Sequence, residues 1–231
     1  MENVVLNIES YKNTNSLSQK VYEKIKFELL TCKLSPGNEV HENELTKRFK
    51  VSRTPVREAL ARLEFEGFVE SIPRRCYRIT PITFKYINEI FSIRSALEGL
   101  SSSLASTKIQ QTEIEELEKI CDTTYEIDKQ GTILSFVNEN IAFHSIIARS
   151  SGNIRLSKLI ENYLGLSERL FYMGAKAKDV NPETRNDHQE IIKFIKSGNS
   201  EKASASMTKH IENTRKHLLF SIIESNNLNL N

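Results

Sequence analysis

Residues 42–79 constrain the fold more tightly than any other stretch of the chain. Leu45 and Phe49 stand one helical turn apart, and Lys50-Val51 then interrupts the pattern. A second apolar stripe follows at Val56, Leu60 and Leu63, opened by Ser52 or Thr54 as a cap and stopped by Gly67. Pro55 is tolerated because the first helical turn needs no amide donors, and a glycine suits the left-handed position that ends a helix. Beyond Gly67 the chain alternates over 68–72, turns at Pro73-Arg74-Arg75, and alternates again over 76–79. Alternation on both sides of a proline-containing turn predicts a two-stranded hairpin. Two short helices across a tight turn, followed by a basic hairpin, predict a winged helix-turn-helix.

Charge agrees with that reading. The whole chain has a net charge of only +2. The stretch from 47 to 78 concentrates Lys47, Arg48, Lys50, Arg53, Arg57, Arg62, Arg74, Arg75 and Arg78 against Glu58, Glu64, Glu66 and Glu70. A local basic excess in a balanced protein is the footprint of phosphate contact. Ser52, Arg53, Thr54 and Arg57 make the start of the second helix polar, as insertion into a major groove requires. An arginine bonds a guanine edge through two donors. Hydroxyls and free helix-start amides suit phosphate oxygens. Arg74 and Arg75, at the hairpin tip, would reach a minor groove or the backbone. Each is also an ordinary solvated residue unless DNA is present.

On either side the pattern is helical. Residues 1–15 show no periodicity and read as a tail, and Ser16 caps a stripe of Leu17, Val21, Ile25 and Leu29 that ends before Leu34-Ser35-Pro36-Gly37. Thr80-Pro81 punctuates the chain between a first domain at 16–79 and a second at 83–225. The second reads as helices over 83–106, 113–129 (ended by Gly131), 134–149, 154–177, 183–196 and 201–225. The fold expected is mainly α, a winged helix-turn-helix followed by an antiparallel helical bundle. No apolar run has the roughly 18 residues of a membrane helix, and residues 1–15 lack a signal peptide's basic start and apolar core. Cys32, Cys76 and Cys121 form neither a disulfide framework nor a CxxC metal spacing. These features predict free thiols in the cytoplasm.

The second domain carries four histidines, and His144, His188 and His210 fall on three different helices beside apolar neighbours. A single histidine so placed is ordinarily a satisfied core residue; three on one bundle form a candidate ligand set. Asn140 precedes His144 by four residues and shares its helix face. Three imidazoles and one oxygen suit a divalent metal, with zinc expected first and nickel or manganese as alternatives.

The run from Leu45 to Val69, with its core "SRTPVREAL..LE.EG", resembles the signature of the GntR family of bacterial repressors. The resemblance implies that Arg53 and Arg57 contact bases and that Ser52 and Thr54 contact the DNA backbone. One departure is Cys76, where the family's wing usually has glycine, so the wing tip would be tighter or differently aimed. The region from Thr83 to Leu219 resembles the FCD ligand-sensing domain of the FadR subfamily, through Ile93-Arg94-Ser95-Ala96-Leu97-Glu98, Phe143-His144, Gly152-Asn153, His188 with Ile191-Ile192, Ser197-Gly198-Asn199 and Met207-Thr208-Lys209-His210-Ile211. Members with an Asp-His-His-His set bind a divalent metal, often completed by a small carboxylate effector. Here the histidines match and Asn140 stands at the aspartate position. An amide oxygen brings no charge, so affinity should fall, and a metal-free pocket is the alternative. Arg94 would pair with an effector carboxylate or, more plainly, with Glu98 one turn on.

These features predict a homodimeric regulator on a pseudo-palindromic operator. Two rivals stay open: a bundle that serves only dimerisation, and a metal-dependent enzyme, which lacks an evident general base.

Overall fold

The structure, a computed structural model, describes residues 16–73 and 75–224. The expected tail at 1–15, the wing-tip Arg74 and the end at 225–231 lie outside the described residues. The chain divides into two compact units, Met1–Pro81 and Ile82–Asn231.

The first unit runs α1 (Leu17–Leu30), β1 (Glu39–Val40), α2 (Glu42–Phe49), α3 (Arg53–Phe65), β2 (Val69–Ile72) and β3 (Cys76–Ile79). Ser16 caps α1 as expected, its hydroxyl accepting from Gln19 N at 3.2 Å. Val21, Ile25 and Leu29 of α1 join Leu45 of α2 and Val56, Leu60 and Leu63 of α3 in one core. Leu29, Val56, Leu60 and Leu63 are wholly buried, each contributing roughly 1.5–3 kcal/mol relative to exposure. Lys50 turns the chain between α2 and α3 in the left-handed conformation, φ 54°. Gly67 closes α3 at φ 80°. A side chain there would be strained, which explains the glycine.

Two expectations are corrected here. The hairpin is part of a three-stranded antiparallel sheet of order β1-β3-β2. Gly37, at φ 83°, donates to Ile79 O at 2.9 Å, and Ile79 N donates to Asn38 O at 2.9 Å. That turn feeds Glu39 and Val40 onto the free edge of β3, opposite Arg78 and Tyr77. Neither Ser52 nor Thr54 caps α3 with its side chain; Ser52 takes the capping position without such a bond.

The second unit runs α4 (Phe84–Ala105), α5 (Gln111–Ile120), α6 (Gln130–Ser150), α7 (Ile154–Ala177), α8 (Asn181–Lys196) and α9 (Ser200–Glu224). The α5 helix ends at Ile120, well short of the expected 129, and Gly131 lies in the first turn of α6 instead of ending its predecessor. Side chains explain the early stop. Tyr125 donates its hydroxyl to Lys178 O at 2.8 Å and accepts from Val180 N at 2.9 Å. Asn181 bonds both the amide and the carbonyl of Tyr125. These bonds tie the segment after α5 to the start of α8 and replace helical pairing. The bundle core is apolar, from Ile87 and Phe91 through Phe143, Leu170 and Ile191 to Met207. Arg94, Glu98, His144, His188 and His210 are buried with it.

Candidate functional site

The helix expected to read DNA is α3. Val56, Ala59, Leu60 and Leu63 face inward, which leaves Ser52, Arg53, Thr54 and Arg57 in solvent at its start. With Ser52 making no side-chain cap, the first amides of α3 are not covered by that hydroxyl. Arg57 is 62% exposed and its Nε donates to both carboxylate oxygens of Glu42, at 3.0 and 2.9 Å. Arg53, Arg57 and Arg75 line one groove of 420 Å³, together with His41, Glu42 and Tyr77. The structure therefore brings Arg53, Arg57 and Arg75 to one groove of the first unit, with Ser52 and Thr54 exposed at the start of the same helix. Arg74 cannot be placed with them.

The second site lies inside the bundle. His144 on α6, His188 on α8 and His210 on α9 each offer a ring nitrogen, all within 4.8 Å of one another. Each is buried, at 2–3% exposure. The local sequence explains how they converge, since each sits on the apolar face of an amphipathic helix. Phe143 stacks flat on His188, ring centres 3.7 Å apart, and so orients that ring. Asn140, one turn before His144, is buried and lines a small cavity with His188.

Carboxylates stand behind two of the rings. Glu98 Oε2 lies 2.5 Å from His144 Nδ1, and Glu98 Oε1 accepts from Arg94 Nε at 2.7 Å. Asp187 Oδ2 lies 3.3 Å from His210 Nδ1 and accepts from Asn213 at 3.1 Å. A carboxylate on one ring nitrogen fixes tautomer and orientation and leaves the other for a metal. Sequence reasoning saw Glu98 only as a partner of Arg94 and missed Asp187. Glu98 was one helical turn from Arg94, a usable signal; the Asp187 contact joins different helices and left none.

Burial sets the charge states. It pushes His144 down to about 4, against the opposing pull of Glu98. Burial and then the neighbouring imidazoles push His188 well below its ordinary 6.5. Burial works against the Glu98 carboxylate, but Arg94 and then His144 outweigh it and hold Glu98 at about 2. Neutral imidazoles are the form that ligates a metal. His144 Nε2 and His188 Nε2 are buried without a hydrogen-bond partner, as are Arg94 Nη1 and Nη2. Arg94 does bond Glu98, the plainer of its two expected roles, yet its terminal nitrogens are left over; its guanidinium lies about 5 Å from the Phe91 and Phe171 rings, at 5.0 and 4.9 Å.

Comparison with known proteins assigns a family to each unit. Residues 17–79 match the bacterial regulatory proteins of the gntR family, and residues 89–213 match the FCD domain. The chain belongs to the GntR family. It combines the family's DNA-binding domain with an FCD domain, the FadR-type architecture, and GntR proteins of this kind are transcriptional regulators, not enzymes. The uncharacterized HTH-type transcriptional regulator YdhC of Bacillus subtilis is 31% identical over 202 residues, 85% of this chain and 88% of that protein. The HTH-type transcriptional repressor RspR of Escherichia coli is 23% identical, covering 90% of this chain and 91% of its own. The solved structure of E. coli McbR/YncC shares the GntR fold at a TM-score of 0.70 and 20% identity, over 90% of this chain and 99% of that one. Among the described residues no helix is long and apolar enough to cross a membrane.

Proposed function

We propose that this GntR regulator is a cytoplasmic repressor whose operator affinity is set by a divalent metal and a small carboxylate held in its FCD bundle. The observation that carries this reading is the group of buried nitrogens lacking partners around three converging imidazoles. A buried polar group left unpaired costs roughly 1–3 kcal/mol. The donor set fits a metal: His144, His188 and His210 would hold it, with Asn140 as the oxygen donor. Zinc suits these donors best, with nickel or manganese next. Asn140 brings no charge, so the ion would be held less firmly than by an aspartate. A bound ion would supply positive charge to a carboxylate, and the terminal nitrogens of Arg94 would give that carboxylate a second anchor.

In the first unit, α3 enters the major groove. Arg53 and Arg57 read base edges, Ser52 and Thr54 hold phosphates, and Arg74 and Arg75 extend from the wing. Two copies place two reading helices on a pseudo-palindrome. A seam for pairing on α4 would centre on Ile93 and Leu100, 38% and 49% exposed, flanked by Leu97 and Leu104, which pack partly against the bundle core. Effector binding shifts operator affinity by a coupling energy of about 1–3 kcal/mol.

The test is elemental analysis of untagged wild type and His188→Ala, followed by titration of small carboxylates against the protein–operator complex. Near-stoichiometric metal in the wild type alone, and a carboxylate that changes operator affinity only in the metal-loaded protein, are expected. A wild type that retains no zinc, nickel or manganese after incubation with each would sink the metal reading and leave the bundle as a dimerisation module.

A further inference from the structure

Cys76 raises a question that neither the reading helix nor the bundle answers. It is buried at 7% exposure, yet it is not part of the apolar core of its unit. Strand geometry explains the difference. Tyr77 packs against the core and Ile79 belongs to it, so Cys76 and Arg78 point to the opposite face of the sheet. On β1, Val40 belongs to the core, so Glu39 and His41 flank it on that same outer face. The register pairs Glu39 with Arg78 and Val40 with Tyr77, and its next step sets His41 opposite Cys76. A carboxylate, an imidazole and a thiol thus converge, with one ligand atom from each inside 4.8 Å of the other two. His41 holds the capping position of α2 but makes no side-chain capping bond. Cys76 and His41 also border the groove that contains Arg53, Arg57 and Arg75.

We infer that Glu39, His41 and Cys76 form a second metal site, on the outer face of the wing sheet, for a zinc-like divalent cation. Thiolate and imidazole select a borderline-soft ion over calcium or magnesium, and the carboxylate completes a set known for zinc. On binding, the thiol forms a sulfur–metal bond and releases its proton to solvent, while the imidazole and carboxylate donate lone pairs unchanged. Three protein ligands leave a fourth position for water. Glu39 is exposed, so the ion exchanges with solvent instead of being locked in as a structural centre. Occupancy pins three segments to one another: β1, the start of α2 and β3. Glu42, the residue after His41, holds Arg57, so the pinned start of α2 adjoins a reading residue.

Cobalt(II) added to the full-length, metal-stripped protein tests the site, because a cysteine thiolate on cobalt gives a sulfur-to-metal charge-transfer absorption that a purely histidine site cannot give. The expected result is that this absorption appears in the wild type and in Cys121→Ser, is lost in Cys76→Ser, and in His41→Asn needs at least about tenfold more cobalt. Zinc should abolish it by competition, and circular dichroism should show Cys76→Ser folded. His41→Asn and Glu39→Gln, both exposed or half-buried changes, decide the matter if Cys76→Ser fails to fold. Absence of the absorption in the wild type, or its persistence at unchanged cobalt affinity in His41→Asn, would overturn the assignment.

Discussion

Arg57 has two partners between which to choose. In the free protein it grips Glu42, an exposed pair worth roughly 0–1 kcal/mol. In the proposed complex a guanine edge would offer a bidentate contact worth roughly 1–3 kcal/mol of discrimination, and the weak Glu42 pair would be a small obstacle to it. Arg57→Ala should lose that discrimination; binding measured across operator variants should show relaxed base preference at one position, and unchanged selectivity would refute the base contact. Asp187 poses a similar question inside the bundle. It touches His210 and not the expected ligand nitrogens, so it is a positioning residue. Asp187→Asn should weaken metal retention by about 10–100-fold, as loss of an outer-shell partner does. Asp187→Glu should restore part of it, whereas equal retention in all three proteins would remove Asp187 from the site. Neither partner was readable in the sequence, because Glu42 with Arg57 and Asp187 with His210 meet only once separate helices have packed.

At the scale of elements, α6 and α8 each bring an uncharged imidazole into an apolar core. The folded-state values of His144 and His188 lie below the ordinary 6.5, so the unfolded chain binds more protons than the native bundle. Their contribution to stability is full above about pH 6.5 and is lost as pH falls towards 4. Glu98, held at about 2 against an ordinary 4.5, adds a loss of the same sign below pH 4.5. In metal-free protein, the urea midpoint of the bundle should therefore fall between pH 7.5 and 5, and His188→Gln should flatten the slope. A midpoint constant over that range would contradict the burial of neutral rings. Helix limits were less legible than helix identities. The stripes of α1 and α3 were plain from apolar spacing and the limits of α7 from its flanking breaks, but the stop after Ile120 depends on Tyr125 bonding backbone that lies some fifty residues away along the chain. The strand β1 is only two residues long and carries no alternation of its own; it exists because the turn at Gly37 delivers it to the edge of β3.

At the scale of the whole molecule, a repressor on a pseudo-palindrome needs two copies. The seam proposed on α4, with Ile93 and Leu100 exposed, would join them. Leu100→Glu should place a charge in that seam, shift sedimentation from dimer to monomer, and weaken operator binding steeply; a dimer that survives the change would move the interface elsewhere. The winged helix-turn-helix and the helical bundle after it were determined by sequence alone. They rest on local rules, namely spacing of apolar residues, capping, turn chemistry and a run of arginines, and local rules survive without knowledge of the fold. Which buried charges face one another was decided only by tertiary structure. The three histidines are 44 and 22 residues apart along the chain, and Glu98, Arg94 and Asp187 meet them from other positions on the helices. Likewise His41 and Cys76 became neighbours through a strand register. Periodicity tells which side of an element is apolar; only the packing of several elements decides which polar groups end in one place, and whether they find partners there.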